Sequence, residues 1–475
     1  MNTTRNIAKN IGMLGISSVI TSILGFFLLI YIARYLGEIE FGKYSFAISF
    51  TTLLITFFSF GINNLIIREI ARNKERTNEY LTNVLLIKIP LCILAFIFTI
   101  IVINILNYPP DTVYAVYLFG IYMILTSFGT TFRSIFQAYE KMEYDAILTI
   151  IEKLLLVILV LFVVFSGHGL IELAYIYIFT GIMSVMLSAT IVFIKISKPR
   201  LRINLSLWKS LLIESIPFGL NALFAILFFK IDIVMISILK NDAMVGIYSA
   251  AYNPLLALGI IPSVFIAAIY PVMSRLFISS PDSLDVITER SSKYMAIIGF
   301  PVAIGCFVLA DRFIELFYVD QFSASIAAFQ ILAFFIPLRW ISSITGTFLT
   351  STNRQGFRTL GVGLGALINI ILNAVMIPSM GYIGACVATV LSEIFLYFIF
   401  IYFINKNYKK LTLNRHFIKP SVASLMMGGF ILYFSYINLL LLVALAFVFY
   451  FMMLLLMKTF SEVDKKILTQ VIKQG

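Results

Sequence analysis

Charge is what this sequence has least of. Asp, Glu, Lys and Arg make up 12% of its 475 residues, and 61% are hydrophobic. Ordinary soluble domains are about 25% charged. A soluble chain so poor in polar side chains could not cover its own exterior. A water-soluble enzyme and a disordered segment are therefore excluded. Cysteine is nearly absent: Cys92, Cys306 and Cys386 lie inside apolar runs, at no ligand spacing and in odd number. That argues against a disulfide scaffold and against redox chemistry. The only histidines, His168 and His416, fall in predicted loops. The sequence shows no P-loop, no metal-spaced cluster and no nucleophile triad. No catalytic residue, no metal and no cofactor is expected, and an ATP-driven pump is not encoded here. Gly361, Gly363 and Gly365 imitate a dinucleotide fingerprint, but they sit in an apolar helix with no strand before them, so close helix packing is the expectation.

What is present is a succession of long, continuous apolar runs. Each span needs about 20 such residues to cross roughly 30 Å of hydrocarbon. The runs do not alternate with period two, so a transmembrane β-barrel is excluded and helices are expected. Apolar windows predict about fourteen transmembrane helices, at 11–33, 43–67, 81–105, 113–137, 146–166, 171–194, 209–239, 243–276, 293–318, 323–351, 356–377, 381–404, 417–436 and 438–457. The first is too long for a cleaved signal segment and reads as a span. The longest polar stretches, 277–292 and 405–416, are too short for a soluble catalytic domain.

Charge placement gives an orientation. With the N-terminus inside, the cytoplasmic side collects Arg5/Lys9, Arg68/Arg72/Lys74/Arg76, Lys195/Lys198/Arg200/Arg202, Lys406/Lys409/Lys410/Arg415/Lys419 and Lys465/Lys466. The outer side keeps Arg34, Lys43, Lys240 and Arg312, with acids such as Glu38, Glu40, Asp311 and Asp320. This bias predicts an even number of spans and two cytoplasmic termini. It also accounts for a net charge of +12 through loops beside anionic lipid, with no nucleic acid as partner.

The pattern G-x-Y-S-x-A occurs twice, as GKYSFA at 42–47 and GIYSAA at 246–251, an offset of 204 residues. Each copy opens a helix after a long apolar run. Pro90 and Pro301 then fall in the third and ninth spans. The expectation is two six-helix pseudo-repeats in parallel orientation, residues 1–204 and 205–405, followed by two extra helices and a tail at 406–475.

Several segments resemble the multidrug/oligosaccharidyl-lipid/polysaccharide exporter superfamily, and within it the polysaccharide flippases. They are IARYLGEIEFGKYSFA at 32–47, GINNLIIREIA at 61–71, FRSIFQAYEKMEYDA at 132–146, KIDIVMI at 230–236, VGIYSAAY at 245–252 and MGYIGACVAT at 380–389. The resemblance covers about residues 5–405. It implies an all-α transporter that moves polyprenyl-diphosphate-linked sugars across the cell membrane, with the last two helices offering a groove for the lipid tail.

Eight ionisable residues fall within spans: Lys88, Glu152, Lys153, Glu214, Lys230, Asp232, Arg339 and Glu393. A charge at mid-bilayer costs about 2.5–3.5 kcal/mol on insertion scales, so these should face partners or a watery cavity. Lys88 and Lys153 lie near the cytoplasmic side, where snorkelling is expected. Glu214 precedes Pro217, with Asn221 on the same face, in a helix that a proline can bend. Lys230 and Asp232 stand two residues apart and cannot face one another. Asn369 and Asn373 share a face, where amides usually bond across helices. Arg133, Lys230 and Arg339 are the candidate contacts for a diphosphate, because cations bind phosphate well. Asn221, Asn369 and Asn373 are candidate cavity residues. Glu214, Asp232 and Glu393 are candidates for coupling to an ion.

The expected function is a flippase for polyprenyl-diphosphate-linked oligosaccharide, working by alternating access. Its partners would be the lipid-linked substrate, membrane lipid and glycan-assembly proteins. A cation-coupled multidrug exporter of the same superfamily is the alternative, weakened because residues 11–33 contain no Asp or Glu. A peptidoglycan-precursor flippase would share fold and mechanism. A membrane-embedded glycosyltransferase would need larger outer loops than these.

Overall fold

The computed structural model describes residues 2–59, 61–198, 203–318, 320–409 and 416–460, with side chains from residue 12 onward. Of the expected cytoplasmic cations, Arg200, Arg202, Lys410, Arg415, Lys465 and Lys466 lie outside the described residues, as do the side chains of Arg5 and Lys9. The described chain is all α-helix apart from turns and two single 3₁₀ turns. The helices are α1 (Asn2–Ser59), α2 (Ile62–Arg72), α3 (Thr77–Ile105), α4 (Pro110–Ala138), α5 (Met142–Phe165), α6 (Leu170–Lys195), α7 (Leu205–Leu239), α8 (Asp242–Ala257) and α9 (Ile260–Ser279). They continue with α10 (Pro281–Val308), α11 (Ala310–Phe317), α12 (Ser325–Ala333), α13 (Phe335–Ser351), α14 (Gln355–Met380), α15 (Tyr382–Asn407), α16 (Ile418–Tyr433) and α17 (Leu439–Leu456).

Twelve helical segments among the described residues are long and apolar enough to cross a membrane. The protein is a multi-pass membrane protein. Two differences of counting separate twelve from fourteen. The first two expected spans form one segment, Gly12–Ser59, broken at Gly37, and α16 has only 16 residues. Gly37 takes φ 73 and ψ 176 inside α1. That backbone is open to glycine and strained for other residues, which is why one long helix can turn there.

Several expected boundaries move. The second span ends at Ser59 rather than 67, because Gly61 adopts φ 69 and starts α2 as a separate amphipathic helix carrying Arg68 and Arg72. The eighth divides into α8 and α9, and the tenth into α12 and α13. The polar stretch 277–292 is largely helical, since α10 begins at Pro281. Apolar windows see only the lipid-crossing part of a helix, whereas backbone hydrogen bonding continues past the hydrocarbon edge.

The chain divides into two compact units, residues 1–260 with 362–385 and residues 261–361 with 386–475. In the first, the two copies of the repeated motif cross one another. A Cβ on Gly42 would overlap the Asp242 carbonyl, and a Cβ on Gly246 would overlap the Glu38 carbonyl. Each glycine thus meets the residue four before the other, a reciprocal contact that only hydrogen side chains permit. One polar end of this unit joins Lys43 to Glu40 and Asp111. The other joins Arg68 to Glu69 and Glu214, and Arg76 to Glu79.

The second unit packs α10 against α13, α16 and α17 around Trp340, Ile297 and Leu442, all buried. Its ends are tied by side chains on carbonyls: Lys293 to Thr459 at 2.7 Å, Arg354 to Asn407 at 2.8 Å, and Arg312 to Ile437 at 2.9 Å. Lys409 holds Asp285 at 2.9 Å, and these contacts keep its ammonium above the usual lysine pKa.

Candidate functional site

In the first unit, α7 brings Asp232 to a fully buried position. Tyr248, from the second copy of the repeated motif, donates to its Oδ2 at 2.8 Å. Asn373 of α14 donates to its Oδ1 at 2.5 Å and to Asn369 Oδ1 at 3.1 Å. The expected pairing of Asn369 and Asn373 on one face is realised, and so is the bond across helices. Asn373 Oδ1 and Asn369 Nδ2 are buried with no hydrogen-bond partner. An unsatisfied buried polar atom costs about 1–3 kcal/mol. A carboxylate beside orphaned amide atoms is an environment suited to capturing a proton or a small cation.

Lys230, two residues away, points elsewhere. It is half-buried and makes no hydrogen bond or ion pair among the described residues. Arg133 behaves differently. It sits 3.2 Å from Glu152 and 3.9 Å from Asp145, with Thr149 also bonded. Ser184 donates to the same Glu152 and Gln137 to the same Asp145. Its charge is compensated within α4, α5 and α6. Glu214 is exposed at the polar end, bonded to Arg68 at 2.8 Å and to Ser210 at 2.7 Å. Glu69, and after it Glu214, hold the Arg68 guanidinium above its ordinary pKa. Asn221 is exposed on α7.

Snorkelling fails for Lys88. Its side chain is 2% exposed and bonded across to α4, at 2.8 Å to Ser127 O and 2.6 Å to Thr131 Oγ1. Two hydroxyls and a backbone carbonyl on the facing helix offer it three acceptors, and these outcompete the reach to water. Lys153 lies against α1, its ammonium beside Gly25. For Gly361 and Gly363 the expectation of close packing holds: Gly361 packs on Phe400 and Gly363 on Phe224, neither with room for a Cβ.

In the second unit, Arg339 Nη1 lies 3.6 Å from Glu393 Oε2. Glu393 is fully buried, whereas the arginine side chain is 30% exposed. Arg358 of α14, absent from the sequence-based candidates, repels Arg339 electrostatically and donates to Thr350 at 3.1 Å. Arg358 escaped notice because it stands at the edge of an apolar window and counts there as a loop cation. The same unit carries an apolar groove of about 280 Å³, lined by Ile297, Pro301, Met427, Ile431, Val443 and Phe447. It runs along α10, α16 and α17, the place expected for a lipid tail. No cluster of three or more His, Cys, Asp or Glu residues able to hold a metal occurs among the described residues.

Comparison with known proteins places these features. Residues 7–277 match the family model of polysaccharide biosynthesis proteins. A probable low-salt glycan biosynthesis flippase, Agl15 of Haloferax volcanii, is 24% identical over 162 residues, 34% of each chain. The match thus spans about a third of that relative's length. The uncharacterized membrane protein MJ1375 of Methanocaldococcus jannaschii is 27% identical over 392 residues, covering 77% of this chain and 89% of that one. Among solved structures, the lipid II flippase MurJ in an inward closed conformation superposes with a TM-score of 0.76 at 17% identity, over 92% of this chain and 97% of that one. An inward-facing multidrug resistance MATE family transporter gives 0.69 at 15% identity, over 81% and 95%. The fold is therefore that of the multidrug/oligosaccharidyl-lipid/polysaccharide transporters.

Proposed function

The chain belongs to the polysaccharide biosynthesis protein family, and on that premise we propose that it is a flippase carrying polyprenyl-diphosphate-linked oligosaccharide from the inner to the outer leaflet of the cell membrane. The observation that carries the reading is the charge inside the spans: neither Lys88 nor Lys230 makes an ion pair among the described residues. Uncompensated cations at membrane depth favour an anionic cargo over a cationic drug. The glycan flippase among the relatives and the apolar groove in the second unit support the same cargo. In this reading Lys230 and Arg339 meet the diphosphate, Arg133 steadies the helices beside its approach, and the groove receives the isoprenoid.

Direction needs no nucleotide. Moving one charge through 100 mV is worth about 2.3 kcal/mol, so two charges leaving an inside-negative compartment gain about 4.6 kcal/mol. Asp232, with Asn369 and Asn373, is the coupling group proposed to reset the protein. Glu214 and Glu393 are weaker candidates, since each already faces a guanidinium. Reconstitution into liposomes with a fluorescent polyprenyl-diphosphate glycan tests the proposal. Flipping should rise with an imposed potential, negative on the side of the substrate. Flipping that ignores the potential and collapses without a Na⁺ or proton gradient would replace this account with ion antiport. The buried acid also suits a cation-coupled multidrug exporter, and transport of a cationic dye by the same liposomes would establish that reading instead. A peptidoglycan precursor as the better substrate would keep the mechanism and change the cargo.

A further inference from the structure

A cavity of about 240 Å³ with mixed polar and apolar walls lies in the first unit, on α1, α2 and α4, and the reading above makes no use of it. Thr52, Thr56, Ser59, Asn63, Ser127 and Thr130 line it. Thr126 completes the polar side of the wall, and Ile55 and Met123 form its apolar side. Directly behind that wall stands the buried Lys88. Its ammonium donates to Ser127 O, to Ser127 Oγ at 3.1 Å and to Thr131 Oγ1, and it makes no ion pair among the described residues. A buried cation with no counter-charge is costly, and an anion nearby would relieve that cost.

The hydrogen bonds set the polarity of the wall. Ser127 Oγ accepts from Lys88 and donates to no described residue, so its own hydrogen is left for the cavity it lines. Thr131 receives from Lys88 and donates to Asn63 Oδ1 at 3.0 Å, and Asn63 Nδ2 donates to Thr130 at 3.0 Å. The Thr56 hydroxyl bonds to no described residue and is free to donate as well. Thr52, Ser59, Thr126 and Thr130 give their hydrogens to backbone carbonyls, so the hydroxyl donors left for the cavity are Ser127, polarised by the ammonium, and Thr56, and donors beside a buried cation favour negatively charged oxygens.

We propose that this cavity is an anion subsite, taking one acidic oxygen group of the cargo, either a sugar carboxylate or the phosphate of the lipid carrier. Its assignment to a cargo rests on the flippase reading. Whole small-molecule sites run to about 300–1,000 Å³, so this one holds a single group rather than a glycan. The adjacent ammonium disfavours a metal cation there, although the hydroxyl oxygens alone would suit one.

The test is calorimetric titration of the full-length protein in detergent with inorganic pyrophosphate, glucuronate and glucose. The wild type should bind at least one anion and not glucose. Pyrophosphate as the ligand assigns the subsite to the carrier phosphate, and glucuronate assigns it to an acidic sugar. Lys88→Met removes the charge at similar length and should weaken anion binding about tenfold to a hundredfold, the range of a hydrogen bond to a charged group. Ser127→Ala keeps the charge and removes the relay, and should weaken it about tenfold. Should Lys88→Met fail to fold, Ser127→Ala and Thr56→Val decide in its place. Anion affinity unchanged in the variants, or a wild type that binds neither anion, overturns the subsite. A protein that flips lipid-linked glycan yet binds neither anion overturns only this inference. One that binds anions through Lys88 and flips nothing overturns only the flippase reading.

Discussion

Lys230 and Asp232 are two residues apart and end in opposite circumstances. Helical geometry alone says that they diverge. It does not say that Asp232 finds Tyr248 and Asn373, or that Lys230 finds no bonding partner among the described residues. Asp232→Asn should leave the protein folded, because the amide oxygen can accept from Asn373 while its NH2 donates to the Tyr248 hydroxyl. It should also abolish any dependence of flipping on Na⁺ or proton gradients, read in liposomes. An unchanged ion dependence would remove Asp232 from the mechanism. At Arg339 the expected result is loss of flipping in Arg339→Ala with a monodisperse detergent-purified protein, and partial activity in Arg339→Lys. Full activity in both would make the residue structural. Because Glu393 is fully buried, Arg339→Ala should also lower the melting temperature, and the second change Glu393→Gln should restore part of it, since an uncompensated buried charge is the costly state. The candidate residues were legible as charges in apolar runs. Their partners were not, because a partner is chosen by the crossing of helices far apart in the chain.

At the scale of elements, the repeated hexapeptide is the informative unit. As sequence it is only four identities in six residues. As structure it is the crossing of α1 and α8, in which Gly42 and Gly246 admit each other's helix backbone. Its tyrosines diverge: Tyr44 bonds to Tyr177 at 2.5 Å, and Tyr248 to Asp232. The position 204 residues before Asp232 is Leu28, so the acid belongs to one copy alone. Gly42→Ala and Gly246→Ala should each destabilise by about 1–3 kcal/mol or more, the range of overpacking, since a backbone carbonyl cannot rotate away. Thermal unfolding in detergent gives the answer. Loss smaller than that of Gly305→Ala, where a Cβ meets nothing within 4 Å, would contradict the crossing. Gly37→Ala tests the kink in α1: a non-glycine residue at φ 73 costs about 1–2 kcal/mol, and a straightened α1 would lose its contacts on one side.

For the whole molecule the first question is orientation. Cys92, Cys306 and Cys386 are buried, so a cysteine introduced elsewhere labels against a quiet background. A thiol at Asn107 should react with an impermeant reagent on intact cells, and one at Glu75 only after lysis. The reverse pattern would invert the topology read from the lysine and arginine bias. The apolar groove of the second unit predicts a further outcome: charged residues at Val443 or Phe447 should impair flipping of long-chain substrates more than of short-chain ones, measured side by side in liposomes. Equal impairment would separate the groove from the tail.

The amino-acid sequence by itself determined the class of the molecule. Continuous apolar runs admit only helices in lipid, because each helix satisfies its own backbone, and the basic clusters predict an orientation for them. The local breaks at Gly37 and Gly61 also belong to single residues, though only the backbone angles reveal which glycines turn. Tertiary structure decided everything that depends on who meets whom. It drew Lys88 inward to Ser127 and Thr131, sent Arg133 to Glu152, set Arg358 beside Arg339, and turned a short repeat into a helix crossing. In lipid the apolar faces of all helices are nearly equivalent, so hydrophobic pattern carries little information about neighbours. Small residues and a few polar atoms choose the contacts, and their choices exist only once the helices are side by side.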